Sequence, residues 1–240
     1  MKRLLTALAF LTILPLPVGP TREEEIRDSL AVFPLAGLVV GLLLALPAYF
    51  LPGPESKALG VLIANYLLTR GLHFDGLVDT LEALGGGFTP PRRREIMKDT
   101  HIGALGLLAG ALFLLLKFHC LSALGAEGMV LGALTAPVFG RGAIAYLSFA
   151  SHSCSPTGLG ALFAQEKRWS TLLAAGATTA LTLLWLPAPD YLILLALTLL
   201  LGELITRLAD RAFGGITGDV LGFGLELTEV GTLLVLGVRG

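Results

Sequence analysis

Between Arg70 and Gly106 the chain reads RGLHFDGLVDTLEALGGGFTPPRRREIMKDTHIGALG, which sets Asp75, Asp79 and Glu82 among basic residues and glycines. A helix over Leu72 to Leu84 puts these three carboxylates within roughly 60° of arc, because positions i, i+4 and i+7 recur on one helix face. Like charges at that spacing repel, so the edge calls for a compensating cation. Its oxygen-only ligands suit Mg²⁺ or Mn²⁺ rather than zinc. A solvated helix end is the plain alternative. Against it stand Gly76, which permits close approach beside Asp75, and Gly85, Gly86 and Gly87, which stop the helix and offer backbone N–H groups to an anion. Carboxylates for a metal, glycines and nearby basic residues together point to phosphate chemistry.

A second set of residues lies farther along. Arg141, inside the apolar span 128–150, is costly in a membrane; it either pairs with an intramembrane carboxylate such as Glu226 or clamps a phosphate oxygen. Pro137 frees a backbone carbonyl near it. Gly214-Gly215-Ile216-Thr217-Gly218-Asp219 is too rich in glycine for a continuous helix. It reads either as a loop approaching phosphate or as a connector. Asp219 and Glu226 share a face if the last span begins early, which would bring further acidic ligands to the first site. His73 and His101 flank the acidic stretch, each either an interface residue or a ligand. Ser151, His152, Ser153 and Cys154 lack the elbow of a hydrolase nucleophile.

The elements that must position these groups are membrane helices. Of 240 residues, 54% are hydrophobic and 15% charged, against about 25% charged in soluble domains. A net charge of −1 excludes a generally basic nucleic-acid binder. Two cysteines, Cys120 and Cys154, form no disulfide framework. Residues 4–14 are too short to cross a bilayer and break at Pro15 and Pro17, so they form an interfacial or re-entrant helix. They look like a secretory signal at first, but Leu14-Pro15-Leu16-Pro17 is a poor cleavage site and the segment is expected to remain. Residues 19–32 form a polar connection with a short amphipathic helix. Six spans are expected at 33–51, 57–72, 103–124, 128–150, 170–187 and 190–208, with a seventh at 222–238 that carries Glu226 and Glu229.

The fold class is therefore all-α, a polytopic helical bundle in a lipid bilayer, with residues 1–240 as one domain. Alternating spans place loops 19–32, 73–102, 151–169 and 209–221 on one side. That side holds Lys2, Arg3, Arg92, Arg93, Arg94, Lys98, Lys167 and Arg168, and by the positive-inside rule it is cytoplasmic. Lys117 lies outside this pattern and is expected to snorkel outward.

The run His73-Phe74-Asp75-Gly76-Leu77-Val78-Asp79-Thr80, followed by Gly85-Gly86-Gly87, Glu95-Ile96-Met97-Lys98-Asp99 and Gly103, resembles the signature of cobalamin synthase, the adenosylcobinamide-GDP ribazoletransferase family. Gly214 to Asp219, Leu221-Gly222, Glu226 and Glu229 resemble its C-terminal motif; Phe10-Leu11-Thr12 with Leu14-Pro15, and Phe33-Pro34-Leu35 with Gly37, match its opening. The resemblance implies an inner-membrane phosphotransferase that joins adenosylcobinamide-GDP to α-ribazole or its 5′-phosphate, releases GMP and requires Mg²⁺. The carboxylate edge fits that chemistry: Asp75, Asp79 and Glu82 are assigned to the metal, with Asp99 or Asp219 as a further ligand or base. Phosphate and substrate contacts fall to Arg141, Lys98, His73, Gly76, Gly85, Gly86, Thr217 and Gly218. Glu82 stands where the family usually has Asp, Ala83 where Gly often follows, and His101 where Arg is common.

Such a site would face the cytoplasm, take no nucleic-acid partner and be compatible with a homo-oligomer. A CDP-alcohol phosphotransferase, the nearest other enzyme class, needs an Arg where Thr80 stands. A cation transporter would place its carboxylates near the bilayer midplane, whereas these cluster at one end.

Overall fold

Glycine and proline punctuate the chain into helices. A computed structural model describes residues 1–19, 21–165 and 167–239. Within them run α1 (Lys2–Leu11), α2 (Glu23–Ser29), α3 (Phe33–Phe50), α4 (Pro54–Thr69), α5 (Leu72–Gly86), α6 (Pro90–Ile96), α7 (Ala104–Ala123), α8 (Gly125–Ala150), α9 (Leu159–Ala164), α10 (Trp169–Thr179), α11 (Ala188–Phe213) and α12 (Gly218–Arg239). Short 3-10 turns at Leu30–Val32 and Ala180–Leu184 extend α2 into α3 and prolong α10. The described residues hold no β-strand, only an isolated parallel bridge between Ser153 and Ile216.

Five helical segments are long and apolar enough to cross a membrane: Glu23–Phe50, Ala104–Ala123, Gly125–Ala150, Ala188–Phe213 and Gly218–Arg239. The chain is thus a polytopic helical bundle. The other two expected spans exist as helices but are shorter. α4 has 16 residues, and the apolar stretch around α10 runs over Trp169–Leu184, where an untilted crossing takes about 20. α1 and α2 form the expected short N-terminal helices. Ion pairs Lys2–Glu25 (2.6 Å) and Arg168–Asp28 (2.5 Å) tie them to each other and to the segment before α10.

The centre of the bundle is α8, clasped by α3 and α12. Lipid offers no hydrophobic drive between helices, so small residues that let backbones meet decide which helices pair. Gly37 and Gly41 of α3, one turn apart, do this against α8: a Cβ on Gly37 would lie 2.3 Å from the Pro137 carbonyl oxygen, and one on Gly41 2.7 Å from that of Leu134. α7 and α11 pack outside and turn leucines such as Leu107, Leu115, Leu192 and Leu200 outward, as a lipid-facing surface requires.

Candidate active site

The acidic helix begins with a sharp reversal. Arg70 and Gly71 both adopt left-handed conformations, φ 54° and 65°, and Gly71 N–H closes the end of α4 on the Tyr66 carbonyl at 2.9 Å. Arg70 is the one non-glycine residue with positive φ among those described, a conformation that L side chains adopt at a cost of about 1 kcal/mol or more. The reversal lays α5 along α12. Gly76 sits on Asp219, where an added Cβ would lie 2.7 Å from the Asp219 carbonyl oxygen and 2.8 Å from its Cα; Gly222 sits on His73 in the same way, at 2.8 Å. Two glycines in register, one from each motif, bring Asp75 and Asp219 to a common junction. α12 begins at Gly218, and the Thr217 hydroxyl caps it by accepting from Val220 N–H at 3.2 Å.

Asp79 records the crowding of negative charge. Burial first, then the charges of Asp75, Asp219 and Glu82, push its carboxyl up to about 7. His73 is nearly enclosed, at 5% exposure; burial and then the Arg141 charge lower it to about 3, so its imidazole is neutral. It meets the small cavity beside Asp75 and Asp219.

The four-carboxylate metal set expected from the sequence is not assembled. Glu82 turns to α7, accepting Gly103 N–H at 2.9 and 3.1 Å, which places an anion at a helix N-terminus whose N–H groups need one. Asp99 is held by His101, with Nδ1 2.8 Å from Oδ1. Glu82, Gly86, Asp99 and His101 line their own cleft on the α6 side. Gly85 and Gly86 are still helical, so their N–H groups are spent on intrahelical bonds instead of cradling an anion. Among the described residues no three His, Cys, Asp or Glu side chains converge to hold an ion. Mg²⁺, however, keeps several waters and takes one or two protein carboxylates plus substrate phosphate oxygens. Asp75 and Asp79, with Asp219 facing them, fit that requirement in donor chemistry, and none of the three forms an ion pair among the described residues.

Three cavities meet at this junction. A cleft of about 540 Å³ is lined by Phe10, Arg70, Phe74, Asp75 and Ile102. A second, of about 380 Å³, is lined by Arg94, Lys98, Ser153, Thr157, Thr217 and Asp219. A pocket of about 80 Å³ touches both Asp75 and Asp219. The wall 153–160 was not singled out from sequence as part of a site. Backbone bonds stitch it to the second glycine-rich motif: Ile216 N–H donates to the His152 carbonyl at 2.7 Å and Cys154 N–H to the Ile216 carbonyl at 3.5 Å. Gly160 permits this, since a Cβ there would meet the Ile216 carbonyl oxygen at 2.7 Å. α6 forms another side. Arg93 and Arg94 donate to the Ala212 and Phe213 carbonyls at the C-terminus of α11, cations where that helix end is negative.

Arg141 lines neither cleft. It is fully buried, with Nη1 2.6 Å from Glu229 Oε1, so its partner is Glu229 and not Glu226. Lys117 does not snorkel: its Nζ lies 2.7 Å from both Glu226 and Glu229. The glutamates give it a counter-charge inside the bundle, which makes an outward reach unnecessary. Two cations and two carboxylates thus balance where α7, α8 and α12 meet, and Glu226, two turns below Asp219, does not join the carboxylate edge. Arg141 Nε and Nη2 and Thr80 Oγ1 have no hydrogen-bond partner among the described atoms.

Comparison with known proteins agrees with the motifs. The family model described as cobalamin-5-phosphate synthase matches residues 3–237. Adenosylcobinamide-GDP ribazoletransferase of Syntrophobacter fumaroxidans is 38% identical over 94% of this chain and 94% of its own length. Those of Roseiflexus sp. and Stutzerimonas stutzeri are 36% and 38% identical, over 96% and 98% of this chain and 87% and 98% of theirs. No solved structure matches.

Proposed function

The chain belongs to the cobalamin-5-phosphate synthase family, and from that premise we propose how its residues carry out the family's reaction. It is a transferase of cobalamin nucleotide-loop assembly. The adenosylcobinamide-phosphate moiety of adenosylcobinamide-GDP passes to α-ribazole or its 5′-phosphate, and GMP leaves. The observation that carries the residue assignment is the meeting of Asp75 and Asp219 across Gly76.

Asp75 and Asp79, with Asp219 opposite, would hold Mg²⁺, or Mn²⁺ in its place. When bound, the cation offsets charge on the diphosphate and the departing phosphate. A ribose hydroxyl oxygen forms a bond to the phosphorus that carries the aminopropanol arm. The bond from that phosphorus to the bridging oxygen breaks, and the oxygen leaves with its electron pair on GMP. Asp219 takes the hydroxyl proton. Lys98, exposed and without an ion pair among the described residues, meets the phosphate. Arg141 acts from below, by fixing α12 through Glu229.

The chain lies in the bacterial inner membrane with this end toward the cytoplasm, as the clustering of its basic loops supports. Cysteine introduced at Thr89 should resist an impermeant reagent in intact spheroplasts; ready labelling from outside would reverse the orientation. The reaction itself is tested with purified protein in detergent, adenosylcobinamide-GDP, α-ribazole and Mg²⁺. GMP and a cobalamin should form in equal amounts. Consumption of adenosylcobinamide-GDP without a cobalamin product would refute the transfer.

A further inference from the structure

The two clefts differ in chemistry, and the small pocket joins them. Phe10, Leu72 and Asp75 line both the larger cleft and the pocket, while Leu159, Gly218 and Asp219 line both the pocket and the smaller cleft. The three cavities therefore form a row, with the carboxylates Asp75 and Asp219 at its middle. In-line displacement at phosphorus needs the attacking and leaving oxygens on opposite sides of the reacting atom. A row of two clefts around one junction supplies such opposite sides.

The smaller cleft carries two cations, Arg94 and Lys98, against the single carboxylate of Asp219, together with the hydroxyls of Ser153, Ser155, Thr157 and Thr217. The N-terminus of α12, a 22-residue helix, opens into it at Gly218, so its partial positive charge adds to theirs. Its walls are fixed by the backbone bonds between 152–154 and Ile216. The larger cleft balances one cation, Arg70, against one carboxylate, Asp75, and the rest of it is mainly Phe10, Leu72, Phe74, Val78 and Ile102. An excess of positive charge with hydroxyls suits a nucleoside phosphate. Aromatic and branched side chains suit the flat face of a nucleoside base.

Resting on the reaction assigned above, we infer that the two substrates approach from opposite ends of this row. The guanosine phosphate half of the donor occupies the Lys98 cleft, and the aromatic acceptor nucleoside occupies the Phe10–Phe74–Ile102 cleft. The phosphorus that changes partners sits between Asp75 and Asp219. Lys98 and the wall 153–160 then set affinity for the nucleotide, and Ile102 sets affinity for the acceptor.

The full chain in nanodiscs tests this with two exposed-residue variants. Lys98→Ala should raise KM for adenosylcobinamide-GDP and the inhibition constant of GMP about tenfold, leaving KM for α-ribazole within twofold. Ile102→Ala should do the reverse, raising KM for α-ribazole about fivefold. The opposite pattern, or equal shifts of both constants in both variants, would overturn the partition. Photolabelling of the wild type with 8-azido-GMP reads the same question without turnover. Label should fall on residues 153–160, and label on residues 69–78 instead would overturn the inference. A wild type that binds GMP at 153–160 yet makes no cobalamin would refute the assigned reaction and leave the nucleotide cleft standing.

Discussion

Gly76→Ala probes the contact on which the site is built. The added Cβ would stand 2.7 Å from the Asp219 carbonyl oxygen and 2.8 Å from its Cα, where ordinary contact begins near 3.4 Å. Both neighbours are backbone, so no side chain can swing aside. α5 and α12 must part by about 0.7 Å, the difference between those distances. Overpacking of this kind costs about 1–3 kcal/mol, and the better helix propensity of alanine returns about 1 kcal/mol. Net stability therefore falls by about 0–2 kcal/mol, a few degrees in Tm for a chain of this size. Activity should fall far more, because a misplacement near 1 Å costs a site on the order of 10²-fold. We expect kcat to drop between about tenfold and 10²-fold in detergent, with the variant still folded and monodisperse. Gly176→Ala is the control: it is a helical glycine with nothing within 4 Å of its added Cβ, and it should leave both Tm and turnover intact. Gly76→Ala turnover within threefold of wild type would show that the Asp75–Asp219 junction tolerates separation, and the reasoning from close packing would be wrong.

Lys117→Met removes the cation shared by Glu226 and Glu229 and should destabilise the bundle by about 3–5 kcal/mol, as loss of one partner from a buried pair does; adding Glu226→Gln should restore most of the Tm, and no recovery would mean that Lys117 acts by packing alone. Asp79→Asn should abolish turnover yet raise Tm in chelator. A carboxyl pushed up to about 7 burdens the folded state once ionised, so the gain is absent below the ordinary carboxylate range, grows as pH rises, and is complete above about 7. Half exposure and solvent screening hold it to about 1–2 kcal/mol; an equal Tm difference at pH 4 and pH 8 would remove the electrostatic cause. Glu82→Ala frees Gly103 N–H and should cost about 1 kcal/mol of stability while leaving Mg²⁺ dependence unchanged; a raised Mg²⁺ requirement would return Glu82 to the metal site.

α5 was legible because Asp75, Asp79 and Glu82 repeat at helical spacing between glycine stops, and the helix indeed runs from Leu72 to Gly86. The spacing could not show that Glu82 is drawn away, since its partner, Gly103 N–H, belongs to the next helix. Lys117 misled for the same kind of reason. A lone lysine on an apolar helix is expected to reach for water, and its counter-charges lie more than a hundred residues away on α12. The short apolar segments 57–72 and 170–187 were found as helices, but composition does not fix whether a 16-residue helix crosses a bilayer. The wall 153–160 left no periodic signal at all. Its place in the site comes from backbone bonds to Ile216 and from the room left by Gly160, both long-range facts. Arg141 stood out as a buried cation, but in place of the phosphate contact assigned to it the geometry supplies a carboxylate partner, Glu229 and not Glu226.

GMP release by Asp75→Asn tests whether the junction holds a metal ion, since the substitution removes a charge there with little change of shape. Wild type and variant would be purified in the same detergent, supplied with adenosylcobinamide-GDP and α-ribazole, and titrated with Mg²⁺ and then Mn²⁺. Loss of a metal-holding carboxylate should lower turnover by more than about 10²-fold at low Mg²⁺, with partial recovery as Mn²⁺ is raised. Near-normal GMP release by Asp75→Asn at low Mg²⁺ would make the carboxylate edge an ordinary helix surface with no part in holding a metal.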